Sequence, residues 1–127
     1  MKNEKDVKKE VKKLLEKHGW FWWMPPANGF GKVGVADFNA IRGGVFLAIE
    51  TKFGANKPTV HQVAFLSSVI AEDGFGFVVN EKRLDYFSKW LDAFDRAAGS
   101  VSKGGQPDPE DGALMLDAIR EMTHELG

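Results

Sequence analysis

Apolar residues recur at Val7, Val11, Leu14 and Leu15 among lysines and glutamates, the 3.6-residue stripe of an amphipathic helix over residues 3–18, which Gly19 ends. The period then changes. Trp20-Phe21-Trp22-Trp23-Met24 is short and aromatic and predicts a strand, closed by Pro25-Pro26 and a glycine-rich loop through Gly34. Residues 35–41 and 45–52 predict two more strands, joined at Arg42-Gly43-Gly44 into a hairpin. Residues 45–49 are apolar at every position, as expected of a strand covered on both sides. Val60, Val63, Ala64, Phe65, Leu66, Val69 and Ile70 have helical spacing up to Gly74, and their density predicts a largely buried helix. Residues 75–80 read as a fourth strand, reached through the helical crossover that parallel pairing requires. Residues 82–98 predict a helix with Leu84, Phe87, Leu91 and Phe94 on one side, and residues 99–106 a linker. Asp108-Pro109 then supply an N-cap and a first-turn proline for a last helix toward Glu125.

The order helix, three strands, helix, strand, helix, helix predicts an α/β fold, a small mixed sheet flanked by helices. With 127 residues, 43% of them hydrophobic, the chain fits one domain with one core. Cysteine is absent, which excludes disulfides, zinc-thiolate sites and thiol chemistry and leaves oxygen-rich metal sites open. A net charge of -1 gives no global attraction for nucleic acid, so such a partner has to be met by a local basic face. No apolar run approaches the roughly 20 residues that span a bilayer. The Lys- and Glu-rich start is unlike a signal peptide, and the expectation is a soluble, cytoplasmic protein.

Chemistry concentrates on the hairpin. Asp37 lies on its first arm and Glu50-Thr51-Lys52 on its second, where the acid and the amine, two residues apart, share a face. Two carboxylates brought within a few Å repel by about 4 kcal/mol at an effective dielectric near 20, and a divalent cation relieves that. Carboxylates, water and a backbone carbonyl such as that of Thr51 are the hard donors Mg²⁺ or Mn²⁺ prefers. A nearby lysine orients a nucleophile and stabilises charge on a phosphate, so the set suits phosphodiester hydrolysis. Taken alone, a Glu-X-Lys triplet is weak evidence and reads first as an ion pair on a solvated strand face.

The motifs Gly34-Val35-Ala36-Asp37, Ile49-Glu50-Thr51-Lys52 and Pro58-Thr59-Val60-His61-Gln62 resemble the PD-(D/E)XK nucleases, most closely the VRR-NUC type and the archaeal Holliday-junction resolvases. The resemblance covers about residues 4–81 and implies a restriction-endonuclease-like αβββαβ core, with residues 82–127 as a helical extension outside it. It implies Asp37 and Glu50 as metal ligands, Lys52 as the catalytic lysine and Gln62 as an active-site residue. The family's usual proline before the aspartate is Ala36 here. An acid on the first helix often completes such a site. Glu4 lies within the Val7, Val11, Leu15 stripe and Glu10 outside it, so Glu4 is preferred. The resemblance further implies DNA as partner, branched or four-way DNA in particular, a homodimer, and Mg²⁺ or Mn²⁺ as cofactor; small nucleases of this look occur in phages and in cellular repair.

Other features carry two readings each. Thr59-Val60-His61-Gln62 also satisfies a capping box. Trp20, Trp22 and Trp23 suit core or an oligomer interface better than base stacking. The Asn28-Gly29-Phe30-Gly31-Lys32 loop lacks Walker spacing and reads as an active-site rim, with Lys32, Arg42, Lys52 and Lys57 as a basic patch. The first helix's lysines read as a solvated face. His18, His61 and His124 share no ligand spacing and read as cap or surface residues. Leu114, Met115, Ala118, Ile119 and Met122 suit the last helix to packing on the domain or to supporting a dimer. Two alternatives to an enzyme remain: a non-catalytic nucleic-acid binding or assembly module on a nuclease fold, and an oligomeric structural protein.

Overall fold

A computed structural model describes residues 1–26 and 34–102, with side chains through residue 98. The rim loop with Lys32, the last helix and His124 lie outside the described residues. The elements are α1 (Glu4–Lys17), β1 (Phe21–Trp23), β2 (Phe38–Arg42), β3 (Val45–Thr51), α2 (Val60–Ala71), β4 (Phe75–Val79) and α3 (Leu84–Ser102).

α1 starts at Asn3, whose side chain accepts the Asp6 amide, and Glu4 and Asp6 favour the positive end of the helix dipole. It stops in a Schellman turn. Gly19 takes φ +74, its N–H reaches Glu16 O and that of Trp20 reaches Leu15 O. That turn drops Trp20 into the core against Phe94 at 5.0 Å instead of into β1.

The sheet order is β1-β2-β3-β4, antiparallel except for the parallel β3–β4 pair that α2 connects. The fold is mixed α/β, a four-stranded mixed sheet with three helices among the described residues. Val7, Val11 and Leu15 of α1 and Phe87, Trp90 and Leu91 of α3 join Phe38, Leu47, Ile49 and Phe77 in one core. Trp90 is fully buried, with ring contacts to Phe75 at 5.0 Å and Phe77 at 4.9 Å. Phe77 and Glu50 belong to opposite faces by strand alternation, so α3 and α2, which meets Glu50, lie on opposite sides of the sheet.

Four expectations need correction. Pairing of β2 begins at Phe38, because the Thr51 N–H is taken by the Asp37 side chain where the ladder would otherwise continue. α2 is not largely buried: only Leu66 is, and Val60 is 83% exposed, since the helix covers only the β3–β4 half of its sheet face. α3 runs through Gly99 to Ser102, because a single glycine costs a helix only about 1 kcal/mol and does not end it. It begins at Leu84 because the Asn80 side chain first holds the amides of Lys82 and Arg83 in a turn. Among the described residues, no helix is long and apolar enough to cross a membrane.

Candidate active site

The antiparallel register pairs Phe38 with Ile49, which puts Asp37 and Glu50 side by side where β2 enters the sheet. Asp37 Oδ2 accepts the Thr51 amide at 2.9 Å and the Thr51 hydroxyl at 2.6 Å. Thr51 thus orients the aspartate through its N–H and side chain, in addition to any use of its carbonyl. The loop entering from Gly34 lies so close to α2 that a Cβ there would come within 2.4 Å of the His61 carbonyl carbon. With φ +81 as well, Gly34 is the residue type this approach requires.

Glu50 is 2% exposed. Its Oε1 accepts from Gln62 Nε2 at 2.9 Å and faces Lys52 Nζ at 3.5 Å, while Oε2 is buried without a hydrogen-bond partner. Burial pushes the Glu50 carboxyl up and the Asp37 charge adds to the effect; Lys52 opposes both, and the balance is about 8. Lys52 follows the last residue of β3, and its amide donates to Val79 O at 3.0 Å.

Gln62 satisfies both of its readings with one amide. Its Oε1 accepts the Thr59 N–H at 2.8 Å while the Gln62 N–H reaches Thr59 Oγ1 at 3.2 Å, closing the capping box. Its Nε2 is left for Glu50.

Glu4 lies on the same side of the molecule, connected through Lys8, whose Nζ is 3.4 Å from Glu4 Oε2 and 3.8 Å from Asp37 Oδ1. Glu10 instead pairs with Lys13 at 3.3 Å. Lys8 was missed in the sequence, where it reads as one more solvated lysine; its spacing of four residues from Glu4 was the available signal. Its ammonium sits against the carboxylate where a cation is called for.

The basic patch is not assembled as expected. Arg42 ends β2, and four residues of extended chain beyond Phe38 carry it roughly 13 Å away. There it pairs with Asp95 and lies over Phe94, 5.6 Å from the ring centre. Lys57 is exposed. Among the tryptophans, Trp20 is core, Trp22 packs on Phe38 at 5.8 Å, and Trp23 is 38% exposed beside Phe21 and Phe46. His61 is exposed, whereas His18 is both the C-cap of α1 and buried.

No protein-family model and no curated protein matches the chain, so its functional reading rests on these residues and their geometry.

Proposed function

We propose that this chain is a Mg²⁺- or Mn²⁺-dependent endonuclease that hydrolyses DNA phosphodiester bonds on a restriction-endonuclease-like core. The observation that carries the reading is Glu50: a buried carboxyl beside the carboxylate of Asp37, pushed up to about 8 by burial and by that neighbouring charge, with no protein donor on Oε2. The donors fit a hard divalent ion, since Asp37 and Glu50 offer carboxylate oxygens and neither histidine nor thiolate is among them. Glu4 and the Thr51 carbonyl complete the proposed ligand set.

When bound, such an ion neutralises charge developing on a phosphate and acidifies water. Thr51 holds Asp37 by two hydrogen bonds, fixing which oxygen remains for the ion. Gln62, itself anchored in the first turn of α2, holds Glu50 Oε1 and so presents Oε2. Lys52 places an ammonium beside Glu50, where it orients the attacking water and stabilises negative charge on the phosphate.

The test is a panel of labelled linear, nicked, flapped and four-way DNA with and without Mg²⁺. Cleavage that needs the ion and falls at least about 10²-fold in Asp37→Ala and Lys52→Ala is expected. Undiminished cleavage by either variant removes the site assignment, and tight binding without hydrolysis in every arm favours an assembly module. A narrower reading follows the resemblance: preference for the four-way substrate and cutting by a homodimer. A solution mass of one chain, unchanged by junction DNA, overturns the dimer.

A further inference from the structure

A second buried polar cluster lies where α1 ends against α3, apart from the carboxylates of the hairpin. The His18 imidazole is 3% exposed. Its Nδ1 lies 2.6 Å from Asp95 Oδ2, and its Nε2 is buried with no hydrogen-bond partner, the Asp92 carboxylate standing 3.6 Å away. Asp95 also accepts from Arg42. We propose that His18 Nε2 and Asp92 Oδ1 form a site for a zinc-class divalent cation, with Asp95 as the carboxylate that orients the imidazole from behind.

Three observations converge on it. The first is the tautomer. An ionised Asp95 only accepts, so the 2.6 Å contact puts a proton on Nδ1 and makes Nε2 the nitrogen open to a ligand. A histidine that donates one ring N–H to a carboxylate and offers the other nitrogen is the usual arrangement of a metal-bound imidazole. Asp95 is suited to that part. The Arg42 guanidinium donates to its other oxygen, so the carboxylate is held in place from both sides.

The second is distance. At 3.6 Å, Nε2 and Asp92 Oδ1 are too far apart for a direct hydrogen bond. Two donors at about 2.0–2.2 Å from a tetrahedral ion stand roughly 3.4 Å apart, so an ion fits between them with a shift of a few tenths of an Å. One donor atom from each of His18, Asp92 and Asp95 lies within 4.8 Å of the other two, so the orienting carboxylate is close at hand.

The third is charge. The C-terminus of α1 presents the negative end of its dipole here, and the carboxylates of Asp92 and Asp95 add to it, while the facing Arg42 is engaged by Asp95. The Asp92 side chain is 51% exposed, which leaves room for water to complete the coordination. Imidazole nitrogen with carboxylate oxygen suits zinc, nickel or copper and not Mg²⁺. The site is independent of the proposed nuclease centre, since the rise along α1 puts His18 about 21 Å from Glu4.

The experiment follows the histidine ring nitrogens of the full chain by ¹⁵N NMR at pH 7.5 while Zn²⁺ is added, in a Glu50→Gln variant that weakens metal binding at the hairpin. A saturable shift of His18 Nε2 is expected, with none under equal Mg²⁺. Asp92→Asn, a change at a half-exposed position, is expected to weaken Zn²⁺ binding at least tenfold, and Asp95→Asn by about tenfold or more. The melting temperature is expected to rise by several degrees with Zn²⁺, because the ion ties α1 to α3. A His18 ring unmoved by Zn²⁺, a ring carrying protons on both nitrogens despite excess Zn²⁺, or undiminished affinity in Asp92→Asn overturns the proposal.

Discussion

Glu50 and Asp95 are both carboxylates in partly or wholly buried polar clusters, and burial pushes both upward, yet their carboxyls move in opposite directions. At Glu50 the Asp37 charge adds to burial, Lys52 at 3.5 Å and the neutral amide of Gln62 offset them only in part, and the result is about 8. At Asp95 a guanidinium and an imidazole both donate, and the carboxyl stays charged below its ordinary range. The difference lies in the partners as well as in depth: Asp95 has its charge met by its two donors, whereas Glu50, more deeply buried beside a like charge, leaves a deficit for a ligand to fill.

The largest effect is expected where the deficit is removed together with the chemistry. Asp37→Asn keeps the size of the side chain and loses its charge, and cleavage at fixed Mg²⁺ is expected to fall by about 10²–10³-fold. Single-turnover assays on the best substrate of the DNA panel check this.

Next comes the pH dependence of the metal-free fold. Between the ordinary Glu value of 4.5 and about 8, the folded chain keeps a proton on Glu50 that the unfolded chain has released. Stability therefore falls as pH rises through that window, by roughly 2–4 kcal/mol in all. Chemical denaturation of the chelated protein at pH 5 and pH 8 measures the slope. Glu50→Gln is expected to flatten it, and Mn²⁺ to restore stability at pH 8 in the parent only; an equal slope in both proteins refutes the assignment.

Arg42→Met makes the second cluster resemble the first. Asp95 loses its strongest donor, its carboxyl rises, and the fold loses about 1–2 kcal/mol, the exposure of both partners limiting the loss. Urea titrations at pH 7 read it. The smallest change separates the two duties of Gln62: Thr59→Ala removes the cap for about 0.5–1 kcal/mol while leaving the Gln62–Glu50 contact, so cleavage is expected to hold. Gln62→Leu loses both and lowers both stability and cleavage.

Much of this contrast was visible in the residues alone at one end of the molecule and hidden at the other. Asp37 and Glu50 are separated by a tight turn, and hairpin pairing makes their meeting a matter of register. His18, Arg42 and Asp95 come together across separations of 77 and 53 residues, and no spacing rule links a helix C-cap, a hairpin end and the middle of a distant helix. Arg42 was expected beside the acids although it stands at the turn of the same hairpin, whose length separates it from the open end where they lie; only its partner Asp95 depends on α3.

What the sequence by itself determined is whatever short-range physics encodes: the stripe of α1, the aromatic and apolar strands, the Gly43-Gly44 turn, the capping box, and two acids and a lysine at one end of a hairpin. Tertiary structure decided which polar group answers which. It gave the two ends of the Gln62 amide separate partners, brought Lys8 to Asp37, left Glu50 Oε2 without a donor and closed Arg42 on Asp95. Periodicity comes from the geometry of consecutive residues, whereas burial and charge compensation depend on everything packed around a group, and those neighbours come from elements distant in the chain.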